Sequence, residues 1–237
     1  MKKIILAISI LLSPLTIHLS PLCAQTLNVQ VGNVTYLFPA EQTEQMTYSD
    51  GTTLTVMGKT FTLSEVDQMY VDETEVIGNQ VDIVYSNSSA KVYIAGNIAP
   101  YVSATMSGAH VTIEQTNTTA VNGDEITYQL SGSTSNGSLT LGGSYKCTVS
   151  LAGVTLTNPN GCAIYITNSK RIQLSAKNGT TNSVTDGASG SHKACIYSKG
   201  QLQLQGNGTL NVVGKTKHGI KSASYISIGT ALLSKLT

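Results

Sequence analysis

Three segments in the second half of the chain share one shape, and that repetition limits the fold more than any other feature. Ala163-Ile164-Tyr165 leads to Ile172-Gln173-Leu174, Cys195-Ile196-Tyr197-Ser198 to Leu202-Gln203-Leu204, and Gly219-Ile220-Lys221-Ser222 to Ile226-Ser227-Ile228. Each places a small residue before an isoleucine, then a polar turn, then an apolar–polar–apolar triplet. The isoleucines stand 32 and 24 residues apart. Units of this size cannot bury an apolar face alone, so they stack on their neighbours. Their period of two makes them strands. Short strands bounded by Gly, Asn, Ser and Thr predict an all-β solenoid, sandwich or barrel. The unequal spacing favours a solenoid, because insertions fall in loops while stacked strands keep register. Ile164, Ile196 and Ile220 are then expected to form one internal column.

Only 11% of residues are charged, while 41% are hydrophobic. A chain with so little charge and so many β-branched residues folds; it is read as a β-rich extracellular protein. Residues 1–24 read as a signal peptide. Lys2 and Lys3 supply the positive region, and Ile4 to Leu12 an apolar core too short to span a bilayer. Cleavage is expected near Ala24, with a lipoprotein at Cys23 as the alternative. The protein is therefore expected to be exported to the periplasm, cell surface or medium, without a transmembrane span. Cys147, Cys162 and Cys195 form no CxxC pair. Their odd number allows one bridge and one free thiol. Cys195 takes the slot of Ala163 and Gly219, which reads as a small core position.

Residues 25–78 predict a small β-meander, with turns at Gly32-Asn33, Ser49-Asp50-Gly51 and Gly58-Lys59, and a single helical turn at Ser64 to Asp67. Residues 79–237 form the second unit. Its strands begin at Val81–Tyr85 and Lys91–Ile94 and run into the solenoid. Asn178-Gly179 and Thr185 to Gly190, nearly devoid of apolar residues, read as loop. The residues after Ile228 make a thin cap for a stack of strands. A shortened member of a longer solenoid is expected, with an open end available for self-association.

Charge is split along the chain. Residues 25–144 carry two lysines against twelve acids, a net of −10, and residues 145–237 carry ten Lys and Arg against Asp186, a net of +9. Either the basic half meets an anionic partner, or the halves attract each other. Catalytic signatures are absent: no GxSxG elbow, no HExxH, no phosphate-binding loop. Glycoside hydrolysis needs two carboxylates, and β-elimination a base with a carboxylate-bound cation. A single aspartate in the repeat half supplies neither, so the chain reads as non-catalytic.

Tyr165 and Tyr197 each follow a repeated isoleucine. With the isoleucines inside, the tyrosines face out one rung apart, and Lys221 takes the third place. Such a pair suits the apolar face of a sugar ring, or simply stiffens the sheet. Lys193, Lys199 and Lys221 lie in or near the turns and suit the carboxylates of an acidic polysaccharide. Arg171 is the one arginine, and hence the candidate for a bidentate grip. His192 and His218 read as exposed turn residues.

The runs Val149–Asn158, Cys162-Ala163-Ile164-Tyr165, Asn178–Gly187, Lys193–Lys199, Gly206–Val212 and His218-Gly219-Ile220 together resemble a family of secreted bacterial carbohydrate-binding proteins. The resemblance covers about residues 126–228. It implies a right-handed parallel β-helix that binds plant cell-wall polysaccharide, including acidic pectin-type chains, with calcium held along the helix. Family copies often carry Lys-Asp-Asp after the serine of the repeat. Here Lys199-Gly200-Gln201 and Ala223-Ser224-Tyr225 stand there, which leaves Asp186 as the one acidic position carried over as a metal ligand. Two alternatives remain: a structural or adhesion module of the cell surface binding protein or envelope, and a degenerate relative of a polysaccharide lyase or hydrolase.

Overall fold

A computed structural model describes residues 25–44 and 46–229. The signal peptide expected at residues 1–24 and the tail after Gly229 lie outside the described residues.

The chain is all-β. β1 (Thr26–Val31) turns through Gly32-Asn33 into antiparallel β2 (Val34–Pro39). β3 (Thr47–Ser49), β4 (Thr53–Val56) and β5 (Lys59–Thr62) form a small antiparallel sheet of their own. The turn into β5 is Met57-Gly58, with φ of 46° and 80°, one residue earlier than Gly58-Lys59. Two central residues with positive φ match the twist of a tight hairpin. β6 (Gln68–Asp72) returns to pair with β1. The meander exists, but it is not separate from the strands after residue 78. β2 also pairs, in parallel, with β8 (Ser89–Ala95), itself in a hairpin with β7 (Gln80–Ser86). One sheet therefore runs across the expected boundary.

β9 (Val102–Ser107) and β10 (Ala109–Gln115) open a second sheet. From there the chain alternates. β11 (Ile126–Thr134) joins the first sheet, β12 (Gly137–Gly143) the second, β13 (Cys147–Asn158) the first, β14 (Ile164–Ile166) the second and β15 (Ile172–Ala176) the first. β16 (Thr181–Asp186) then lies against the far half of β13. β17 (Ala194–Ser198), β18 (Leu202–Gly206), β19 (Thr209–Val213), β20 (His218–Ser222) and β21 (Ile226–Ile228) repeat that circuit. All these successive pairings are parallel. Parallel neighbours require a crossover, and here strands of the other faces supply it. β13 bends between two faces: Cys147–Leu151 pair with β15, and Thr155–Asn158 with β16. β11 bends likewise, at a bulge between Leu130 and Gly132. Gly132 has φ +81°, and a Cβ there would lie 2.1 Å from the Tyr85 carbonyl oxygen, so no other residue fits without strain.

Register confirms the column. Val111, Leu139, Ile164, Ile196 and Ile220 are successive partners in the second sheet, the first four buried and Ile220 half-buried. Tyr128, Val149, Leu174 and Leu204 form the matching buried column of the first sheet. Each fully buried aliphatic side chain contributes about 1.5–3 kcal/mol relative to exposure. One continuous cluster of such residues extends from Val29 to Leu204.

Candidate functional site: an aromatic face edged by lysines

Because Ile164 and Ile166 point inward, the residue between them points out. β14 thus presents Tyr165, β17 presents Tyr197 and β20 presents Lys221, each paired with the next, with Thr140 of β12 ahead of them. The two tyrosine rings lie 5.8 Å apart, tilted by 40°. His192 stacks on both: 4.1 Å and 28° from Tyr165, 4.9 Å and 14° from Tyr197. All three rings are half-buried. The Lys221 ammonium sits 5.6 Å from the Tyr197 ring centre, a cation–π contact.

His192 was expected as an exposed turn residue. It is instead the third ring of the cluster. Lys193, at φ +52°, turns the chain beside it, and the Lys193 amide donates to the Gly190 carbonyl at 3.3 Å. Lys193 and Lys199 flank β17 and are exposed, as is Lys221. Among the described residues, none of these three lysines pairs with a carboxylate.

Arg171 does not join this face. It directly precedes β15 in the first sheet, and its guanidinium pairs with Glu125. Lys146 reaches the same carboxylate at 3.0 Å. The expected grip of Arg171 on a ligand carboxylate thus gives way to a grip on the chain's own. For these two cations, attraction between the acidic and basic halves accounts for the charge split.

Asp186 is buried. Its carboxylate accepts hydrogen bonds from the amides of Lys215 at 2.5 Å and Thr216 at 3.4 Å. It ties the end of β16 to the turn after β19. Among the described residues, no group of three or more His, Cys, Asp or Glu is placed to hold a metal ion. Asp186, the acidic position expected as a metal ligand, thus holds two backbone amides of its own chain. Cys147, Cys162 and Cys195 are all free thiols. The Cys162 thiol lies 3.0 Å and 3.1 Å from the carbonyl oxygens of Ile164 and Cys195. Burial pushes the Cys162 and Cys195 thiols up to about 12.

The sequence model of a family described as "Carbohydrate-binding domain-containing protein" matches residues 107–234, a stretch that holds β10 to β21 and the whole aromatic face. A curated protein of that description from Acetivibrio thermocellus is 27% identical over 111 residues, covering 43% of this chain and 39% of its own length. The chain thus spans about two fifths of that relative. Among solved structures, a gadolinium derivative of a polysaccharide lyase-like protein from C. thermocellum superposes with a TM-score of 0.52. That match has 21% identity and covers 63% of this chain and 58% of that one, a likeness of fold alone.

Proposed function

This chain belongs to the carbohydrate-binding domain-containing protein family, and from that premise we propose that it is an exported, non-catalytic binder of polysaccharide. We read its alternating parallel strands as the coils of a right-handed parallel β-helix, the register of the isoleucine column being the support for that reading.

One observation carries the functional reading: three outward rings, Tyr165, His192 and Tyr197, held together on neighbouring strands. The apolar face of a pyranose packs on such rings while its hydroxyls bond at their edges. The lysines around them, Lys193, Lys199 and Lys221, pair with no carboxylate among the described residues and favour a chain that bears carboxylates, and a pectin-type plant polysaccharide meets both demands.

The test is native gel electrophoresis of the full chain through polygalacturonate, with and without a calcium chelator. Retardation is expected, and Tyr197→Ala should weaken it about tenfold, the equivalent of roughly 1.4 kcal/mol. No retardation by any plant glycan would overturn the reading in favour of a surface adhesion or structural module. The lyase reading rests on the name of a structural neighbour. Release of unsaturated sugar, followed by ultraviolet absorbance during the same incubations, would revive it.

A further inference from the structure

The first sheet carries a feature of a different kind on its outer side: a polar trough of about 700 Å³. Its floor is a ladder with one residue from each of four successive strands, Thr127, Thr148, Gln173 and Gln203. All four side chains are half-buried. Parallel strands repeat about every 4.8 Å, so the floor offers a hydrogen-bonding group at a regular step along the stacking direction. Tyr145, half-buried, stands at the rim beside Lys146, whose ammonium lies 5.7 Å from its ring centre.

Three properties fix the chemistry this trough would accept. Its amides are uncommitted. Gln80 and Gln129 nearby are tied to Asp82, whereas among the described residues the Gln173 and Gln203 side chains make no hydrogen bond. A carboxamide both donates and accepts, as a hydroxyl does; an anion would call for donors only. The trough's cations are also spent. Lys146 and Arg171 share Glu125, and Asp124 adds a further negative charge at the same end. An anionic chain gains nothing there. Finally, the Tyr145 ring offers the flat apolar contact that one sugar face requires.

We infer that this trough binds a neutral, hydroxyl-rich polysaccharide strand laid across the parallel strands, at a place separate from the lysine-edged rings of the second sheet. The inference rests on the reading that the chain binds carbohydrate, and it assigns the two sheets to glycans of different charge.

The experiment uses the full chain in native affinity gels cast with barley β-glucan, xyloglucan or polygalacturonate. Wild-type protein is expected to be retarded by at least one of the two neutral glycans. The double variant Gln173→Ala/Gln203→Ala should lose that retardation about tenfold while keeping its retention on polygalacturonate. Tyr165→Ala/Tyr197→Ala should do the reverse. Both pairs are outward-facing, and an unchanged melting temperature verifies the fold. Neutral-glycan retardation that survives the glutamine pair, or disappears with the tyrosine pair, overturns the inference. So does wild-type binding to polygalacturonate without binding to either neutral glycan, an outcome that leaves the proposed function standing. If no probe retards the wild type, the proposed function itself falls, and the trough assignment with it.

Discussion

Cys162 and Cys195 keep their protons far past the pH at which a free thiol loses its own. Burial raises both from 9.0 to about 12. The folded chain therefore holds protons that the unfolded chain releases, and stability falls wherever that difference operates. The contribution is complete below pH 9 and is lost as pH rises toward 12. Tyr36, Tyr85 and Tyr128 are shifted upward by burial too, and act in the same sense. The urea midpoint should hold steady between pH 7 and 8.5 and drop above pH 9. A thiol reagent at pH 8 should label these cysteines only after unfolding. At this scale the sequence was readable where spacing was the signal. The small slot of Cys195 and the pairing of Tyr165 with Tyr197 both followed from the repeat. His192 did not, because its position depends on one positive-φ residue, Lys193, that no pattern marks. Nor did the Arg171–Glu125 pair, whose partners are 46 residues apart in sequence.

Among the strands, β16 is one the sequence concealed. Thr181–Asp186 contains a single aliphatic residue, Val184, and its other two inward positions are Asn182 and Asp186. Strand recognition relies on apolar alternation, and here the alternation is kept with polar side chains whose bonds are all met by the fold. Asn182 is fully buried. Its oxygen accepts from the amides of Gly153 and Val154 at 2.8 Å and 3.0 Å, and its nitrogen donates to the Thr180 hydroxyl and the Thr209 carbonyl at 3.0 Å and 3.1 Å. One side chain thus ties β13, β16 and β19 together. Asn182→Ala leaves the buried Val154 amide and the part-buried Gly153 amide and Thr209 carbonyl without their partner, and should lower unfolding stability by about 2 kcal/mol, measured by denaturant titration. Asn182→Asp, which keeps the acceptor but loses both donors, should cost less than alanine only if the two amides carry most of the bond energy. The hairpins at Gly32-Asn33 and Met57-Gly58 were legible because turn chemistry is local. Membership of β2 in the long first sheet was not, since its parallel partner β8 enters about 55 residues later.

For the molecule as a whole, the strand order of the first sheet begins at β6 and β1 and ends at β21. The beginning and end of the described chain therefore lie toward opposite edges of that sheet. Traction applied between them would load the ladder along its hydrogen bonds, opening it pair by pair rather than shearing it all together. On the proposed β-helix reading each circuit binds chiefly its two neighbours, so the rupture events should be successive and similar in height. Releasing 24 or 32 residues at a time, at about 3.3–3.6 Å per residue, predicts steps of roughly 80–115 Å in a single-molecule extension trace. One tall peak that frees the entire length at once would contradict this. A protein assembled this way would behave under tension as a ratcheted tether, yielding length in instalments while the circuits still closed keep their grip.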